Sequence, residues 1–256
     1  MRPGRNTYTT QREDGDMRVL LAGAAGFVGR VALDLLGERH QVTAFDIRPL
    51  DGCAHAIQGD VLDGDAVAAA MRGHDAVVNT IMAPNHTYEN GPGFTVNVTG
   101  TFNLLSAAQK HQVKRFVHTS STAVMGGYPQ PDTFLGNDQY PLKAEGPYGL
   151  SKLLQEELAR NFHEQCGMSI AAIRPGGIID SERMVTTDGH KVSRFHWGTI
   201  DRRDVAAALV CALEAEDIGY ECFHVTATPG GYRATDVAKT EKRLGWKPKI
   251  TFDEDL

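Results

Sequence analysis

Long hydrophobic runs are missing from this chain of 256 residues. None approaches the roughly 20 apolar residues of a membrane-spanning helix, so no membrane partner is expected. Cysteine is scarce. Cys53, Cys166, Cys211 and Cys222 share no metal-ligand spacing and form no dense framework, which predicts reduced thiols and a cytoplasmic location. No charged-then-apolar leader opens the chain. Nor is there a basic stripe: 26 Lys and Arg are mixed with 32 Asp and Glu for a net charge of −6, which argues against a nucleic-acid partner. His86, His111, His163 and His224 have no partner spacing, so no metal site is expected, and His118 reads as a core histidine. No internal repeat is visible.

What is present is glycine at a telling place. Arg18-Val-Leu-Leu-Ala22 reads as a buried strand, Gly23, Gly26 and Gly29 follow, and Val28, Val31, Ala32, Leu35 and Leu36 recur at helical period. Strand, glycine turn and helix open a dinucleotide-binding unit, in which Gly23 permits the turn, Gly26 admits a pyrophosphate and Gly29 lets the helix lie close on the strand. A second strand, Gln41–Phe45, ends in Asp46, about 20 residues on, where a carboxylate binds ribose hydroxyls. Arg48 could grip a 2′-phosphate or lie over the adenine. Asp46 would repel that phosphate, so the expected cofactor is NAD. Asp60, beside Val61, reads either as a partner of the adenine amino group or as a helix N-cap shared with Asp63.

Strands are expected at 18–22, 41–45, 54–58, 75–80, 114–119, 169–174 and 220–226, and helices near 27–37, 64–71, 92–110, 147–166 and 201–215. Such alternation predicts an α/β fold, a doubly wound Rossmann-type parallel sheet of about seven strands with helices on both faces. Residues 1–16 read as a flexible extension and 17–174 as the dinucleotide-binding domain. Residues 175–256 are expected as a small substrate-binding region that also contributes the last sheet strand. So short a remainder favours a small polar substrate, with 178–200 as a roof in which Arg183, His190, Arg194, His196 and Trp197 are available. Asp201 reads as the cap of the following helix, with Arg203 able to reach the roof.

The chemistry-bearing residues come next. The fifth strand runs into Ser120-Ser121, and Pro147-Tyr148-Gly-Leu-Ser-Lys152 puts a phenol and an ammonium four apart on one helix face. Oxidising a carbinol requires a base for the hydroxyl proton. A phenol of pKa about 10 is a poor one until a nearby ammonium lowers it. Lys152 is expected to supply that charge and hold the nicotinamide ribose, while Ser121 steadies the substrate oxygen.

Taken together, Gly23-x-x-Gly26-x-x-Gly29, Asp60-Val61, Asn97-Val-Thr-Gly-Thr101, Ser120-Ser121, Tyr148-x-x-x-Lys152 and Arg174-Pro175 resemble the extended short-chain dehydrogenase/reductase superfamily, the NAD-dependent epimerase/dehydratases, over about residues 17–250. Within it, Ser120–Gln130 and Gly245–Lys249 are similar to uronate dehydrogenases. The resemblance implies Ser121, Tyr148 and Lys152 as the catalytic set. It implies cofactor contacts from Gly23, Gly26, Phe27, Val28, Gly29, Asp46, Ile47, Arg48, Asp60, Val61, Thr80, Ile81, Asn97, Thr119, Tyr148, Lys152, Pro175 and Gly176. Substrate contacts are expected from Met82, Ser121, Thr122, Tyr148, Gly177 and Arg183, the arginine pairing with a sugar carboxylate. The sequence departs from those enzymes in Thr122-Ala123 after the serines, and in the bulky Ile81-Met82 after the fourth strand. The expected activity is NAD-dependent oxidation of a secondary or anomeric hydroxyl on a small sugar, sugar acid or polyol. The alternatives are a sugar epimerase or dehydratase with transient cofactor reduction, and a non-enzymatic dinucleotide sensor. A homodimer is expected through the helices at 92–110 and 147–166, where Phe102, Leu105, Leu153, Leu154 and Leu158 serve an interface or a core equally well.

Overall fold

The computed structural model describes residues 16–84, 87–89, 91–126, 134, 136 and 142–253. In chain order the first half runs β1 (Arg18–Ala22), α1 (Gly29–Gly37), β2 (Gln41–Asp46), β3 (Ala56–Gln58), α2 (Gly64–Met71), β4 (Ala76–Asn79), α3 (Gly93–Lys110) and β5 (Arg115–Thr119). A 3-10 turn at Thr122–Met125 then leads to α4 (Gly146–Cys166), β6 (Ser169–Pro175), β7 (Ile178–Asp180), β8 (Val185–Thr186), β9 (Ile200–Asp201), α5 (Arg202–Glu214), β10 (Tyr220–Val225), α6 (Pro229–Ala234) and α7 (Val237–Leu244). The main sheet is seven-stranded and parallel, in the order β10-β6-β5-β4-β1-β2-β3.

Strand side chains alternate between faces, and both faces are buried. Val19, Leu21, Val78 and Val117 point to the side covered by α1 and α5. Leu20, Ala22, Val77 and Phe116 point to the side covered by α2, α3 and α4. Burying each valine, leucine or phenylalanine side chain fully is worth about 1.5–3 kcal/mol, which is why short, almost wholly apolar strands suffice. The strand order reverses between β1 and β4, and the crevice that opens there, at the carboxyl ends, is the ligand position of such sheets.

The expected strand at 54–58 shrinks to β3, an exposed edge strand. Helices α6 and α7 were not anticipated, being short and polar. The segment 178–201 holds a second sheet, β8-β7-β9, with β7–β8 antiparallel and β7–β9 parallel. Asp201 caps α5 as expected, its side chain accepting from the Arg203 amide at 2.8 Å. The Gly245–Lys249 motif has a structural role. Gly245 ends α7 in the left-handed conformation (φ +62°), Trp246 is buried with Nε1 donating to the Asp204 carbonyl oxygen at 2.9 Å, and the Lys249 and Ile250 amides donate to the Asp204 carboxylate at 2.9 and 3.0 Å. Asp204 thus ties the chain after α7 to α5.

Candidate active site

A cavity of about 1340 Å³ follows the carboxyl edge of the main sheet. Its first wall is the β1–α1 turn. Gly23 has φ +84°, and a Cβ there would sit 2.8 Å from the Ile81 amide nitrogen and from Thr80. A Cβ on Gly29 would overlap the Gly23 carbonyl oxygen, so this glycine serves close packing behind the wall and does not itself line the cavity. Gly26, Phe27 and Val28 do line it. Helix α1 begins with no side-chain cap and no acidic residue in its first turn, which leaves its positive end to an anion.

Asp46 ends β2 inside the cavity. Its Oδ2 accepts from the Ala25 amide at 2.9 Å, and its Oδ1 accepts from the Arg48 amide at 2.9 Å and from Arg48 Nε at 3.3 Å. The glycine turn, the carboxylate and the arginine therefore form one unit, with Ile47 exposed at the rim. Asp60 and Val61 also line the cavity. Asp60 accepts from the Leu62 amide at 2.9 Å, while the cap of α2 is Asp63, which accepts from the Asp65 and Ala66 amides. Val61 is held against α3 by Gly100, where a Cβ would approach its Cγ1 to 2.6 Å. Thr80 Oγ1 donates to the Ala22 carbonyl at 2.9 Å, and Ile81 and Met82 continue the wall.

At the other end, Thr119 ends β5 and Ser121 follows it, and Tyr148 and Lys152 face them from the first turns of α4. Ser121 Oγ accepts from the Ala123 amide at 3.1 Å, capping the 3-10 turn that carries Thr122. Burial pushes the Tyr148 phenol above its usual range, a hydrogen bond from Ser121 pulls it back, and the Asp188 carboxylate pushes it up again. Lys152 is 1 % exposed, and its Nζ donates to the Thr119 carbonyl oxygen at 2.8 Å. Burial brings its pKa down to about 7, opposed by the carboxylate of Glu156 one turn further along α4. Pro175, Gly176 and Gly177 close this end, with Gly176 packed so tightly on Gly198 that a Cβ would overlap the Gly198 carbonyl oxygen.

Three expected contacts lie off the cavity: Gly29 behind the β1–α1 wall, Asn97 and Arg183. Asn97 does not line the cavity. It is buried behind the wall, donating from Nδ2 to the Tyr88 hydroxyl at 2.7 Å and to Ser151 Oγ at 3.0 Å, and its amide group braces the tyrosine that lies edge-on to Tyr148 with ring centroids 5.2 Å apart. Arg183, in the turn between β7 and β8, is 76 % exposed, lies 3.9 Å from Asp180 and does not line the cavity. Arg203 meets the start of the roof through Ser181 and Glu182 while it is paired with Asp201, and it does not line the cavity.

Some participants went unrecognised in the sequence. Tyr88 lines the cavity, and burial pushes its phenol well up. Behind Ser120 and Lys152 lies a buried ion pair, Arg174 Nη2 to Glu156 Oε2 at 2.7 Å, with Ser120 Oγ donating to Glu156 Oε1 at 2.5 Å. The spacing Lys152–Glu156 on one helix face was its available signal. His118 is a core histidine as expected: its Nδ1 lies 3.3 Å from Asn79 Nδ2, and burial together with Lys152 holds it well below the usual imidazole range. Among the described residues no cluster suits a metal ion. His86 lies outside them.

The geometry fits a dinucleotide on three counts: the glycine wall where side chains would clash, the uncapped start of α1, and Thr119 Oγ1, which is buried in the cavity wall without a hydrogen-bond partner. The model of the NAD dependent epimerase/dehydratase family matches residues 19–196. The chain belongs to this family. It is similar to L-arabinose 1-dehydrogenase (NAD(P)(+)) of Haloferax volcanii, with 30% identity covering 87% of this chain and 98% of that one. It is equally similar to uronate dehydrogenase of Agrobacterium fabrum, with 30% identity covering 91% and 84%. A crystal structure of uronate dehydrogenase from Agrobacterium tumefaciens superposes with a TM-score of 0.72 at 28% identity, over 93% of this chain and 86% of that one. As a member of the family the protein is an NAD-dependent enzyme of the extended short-chain dehydrogenase/reductase type. No described helix is long and apolar enough to cross a membrane.

Proposed function

We propose that this enzyme oxidises a secondary or anomeric hydroxyl of a small carbohydrate, with Tyr148 as base, Lys152 as the charge beside it and Ser121 as the anchor of the substrate oxygen. The carrying observation is the convergence of these three side chains on one end of a cavity whose other end is the glycine wall and Asp46. The cofactor would be held by Gly23, Gly26, Asp46, Asp60, Thr119 and Lys152, and NAD⁺ supplies the acceptor for the hydride that leaves the carbinol carbon. Tyr148 Oη takes the hydroxyl proton. Ser121 hydrogen-bonds the same oxygen as charge develops on it. Because burial raises the phenol and depresses the ammonium, Glu156 and the Thr119 carbonyl matter: both favour the charged form of Lys152, which in turn favours the phenolate. Residues 17–174 act as the cofactor domain in this reading, and the roof at 178–200 shapes the substrate end.

The enzyme acts in the cytoplasm as a homodimer in the same proposal. Its four cysteines are free thiols, and Phe102 and Leu150 are exposed apolar side chains on the neighbouring helices α3 and α4. Leu105, by contrast, belongs to the core. Sedimentation as a monomer at working concentration removes the dimer. Incubation of purified protein with NAD⁺ and a panel of aldoses, polyols and uronates tests the activity. Net NADH formation supports it, whereas stoichiometric tightly bound cofactor with no net turnover turns the reading to an epimerase or dehydratase.

A further inference from the structure

Tyr148 stands in the first turn of α4, where its own helix gives it little to rest on. A helical side chain leans back over the turn that precedes it. Here the helix opens on Gly146, at φ +68°, after Glu145, whose side chain makes no cap hydrogen bond. The missing surface comes from another segment. Tyr88, in the turn ahead of α3, is 6 % exposed, and its ring meets the Tyr148 ring edge-on, with centroids 5.2 Å apart and planes at 81°.

Hydrogen-bond directions show how Tyr88 is held. Ser151 Oγ donates its one hydrogen to the Tyr148 carbonyl oxygen at 2.7 Å, so toward Asn97 it is an acceptor. The Ala83 amide donates to Asn97 Oδ1 at 3.4 Å, which leaves Nδ2 facing Ser151 and Tyr88. Of the two Nδ2 hydrogens, one goes to Ser151 Oγ at 3.0 Å and the other to the Tyr88 hydroxyl oxygen at 2.7 Å. Asn97 is itself fixed to α4, its carbonyl oxygen accepting from Gln155 Nε2 at 3.0 Å. These contacts close on themselves: they leave the Tyr148 backbone, pass through Ser151, Asn97 and Tyr88, and return on the Tyr148 ring.

We propose that Tyr88 is a positioning residue for the reaction: anchored through Asn97, its ring fixes the direction of the Tyr148 side chain and excludes water from that side of it. The inference rests on the dehydrogenase reading above, in which Tyr148 is the base, and adds a residue that acts through that base. Tyr88 itself takes no proton. Burial, and after it the neighbouring Tyr148, push the Tyr88 phenol well above its usual range, so it stays neutral while Tyr148 titrates. A proton acceptor serves only in the geometry of the transfer, and an edge-to-face ring pair biases one orientation by up to about tenfold.

The experiment compares Tyr88→Ala, which removes the ring, with Tyr88→Phe, which keeps it, in the full chain. One arm reads kcat against pH with NAD⁺ and the sugar of the panel that turns over. The other needs no substrate: the protein carries tyrosine labelled with carbon-13 at Cζ, NADH is bound, and the Tyr148 signal, identified by its loss in Tyr148→Phe, is titrated by NMR. Lys152 on the same helix, Asp188, His190 and His196 from the roof, and Glu89 and Glu145 on the wall are common to both variants, so a difference between them belongs to the ring at position 88. In Tyr88→Ala, kcat falls about tenfold with little change in KM, and the Tyr148 midpoint moves to lower pH, because water relieves the burial that raises it. Tyr88→Phe recovers most of the kcat and returns the midpoint. Unchanged kcat in Tyr88→Ala, a midpoint that does not move, or equal changes in both variants overturns the inference and leaves the dehydrogenase reading standing. If no sugar reduces NAD⁺, the dehydrogenase reading fails by itself, and the titration decides the contact: a midpoint moved in Tyr88→Ala and restored in Tyr88→Phe upholds it, and any other pattern overturns it.

Discussion

The floor of the cavity is assembled at the carboxyl ends of strands buried on both faces and on the first turns of α4, whereas the roof at 178–200 consists of strands of two and three residues joined by loops. On the floor each functional group is also a structural member. Asp46 bonds the glycine turn, Ser121 caps a turn, and Lys152 bonds the end of β5. The groups the roof presents, Asp188, His190 and Trp197, sit in loops. The difference separates two tasks: rigid elements fix the reacting geometry, and the loops choose what is presented to it.

That contrast breaks or sharpens under mutation. The largest expected effect is chemical. Tyr148→Phe lowers kcat by about 10²–10⁴-fold while NAD⁺ binding, followed by calorimetry, stays within a few-fold, because the phenol is the proton acceptor. The next is structural. Glu156→Gln removes the negative charge that faces the buried Arg174 guanidinium and costs about 3–5 kcal/mol in denaturant unfolding. Glu156→Gln combined with Arg174→Met recovers part of that loss. On the roof side, Arg183→Ala changes unfolding free energy by no more than about 0.5 kcal/mol. A larger loss there would mean that the roof is built as the floor is.

Cofactor choice belongs to the floor as well. Asp46→Asn removes the negative charge from beside Arg48 and raises relative use of NADP⁺ over NAD⁺ by about tenfold, read from kcat/KM for the two. The smallest effect is in pH. Since burial raises the Tyr148 phenol, oxidation by the wild-type enzyme increases as pH rises from neutral into the alkaline range, where the phenolate gains population. A flat profile would assign the proton to another group.

Legibility in the sequence followed the same division. The floor could be read because its signals are local: glycines between a strand and a helix, an acid at the end of β2, and a phenol and ammonium at helical spacing. Arg183 was offered as a carboxylate partner from its place after the sixth strand; it sits in the turn between β7 and β8, and where a turn side chain faces depends on pairing the sequence does not display. Asn97 was read as a cofactor contact because its motif marks the right helix, while burial behind Tyr88 is settled only by how α3 packs on α4. The Glu156–Arg174 pair joins a helix to a strand 18 residues later and was missed for the same reason.

The central claim is tested most directly by isotope transfer. Purified enzyme is incubated with NAD⁺ and a neutral aldose deuterated at the anomeric carbon, and the cofactor is examined by mass spectrometry. The account predicts deuterium in NADH from the wild-type enzyme and almost none from Tyr148→Phe. Unlabelled cofactor with every aldose, polyol and uronate tried, or equal labelling by the Tyr148→Phe variant, would contradict it.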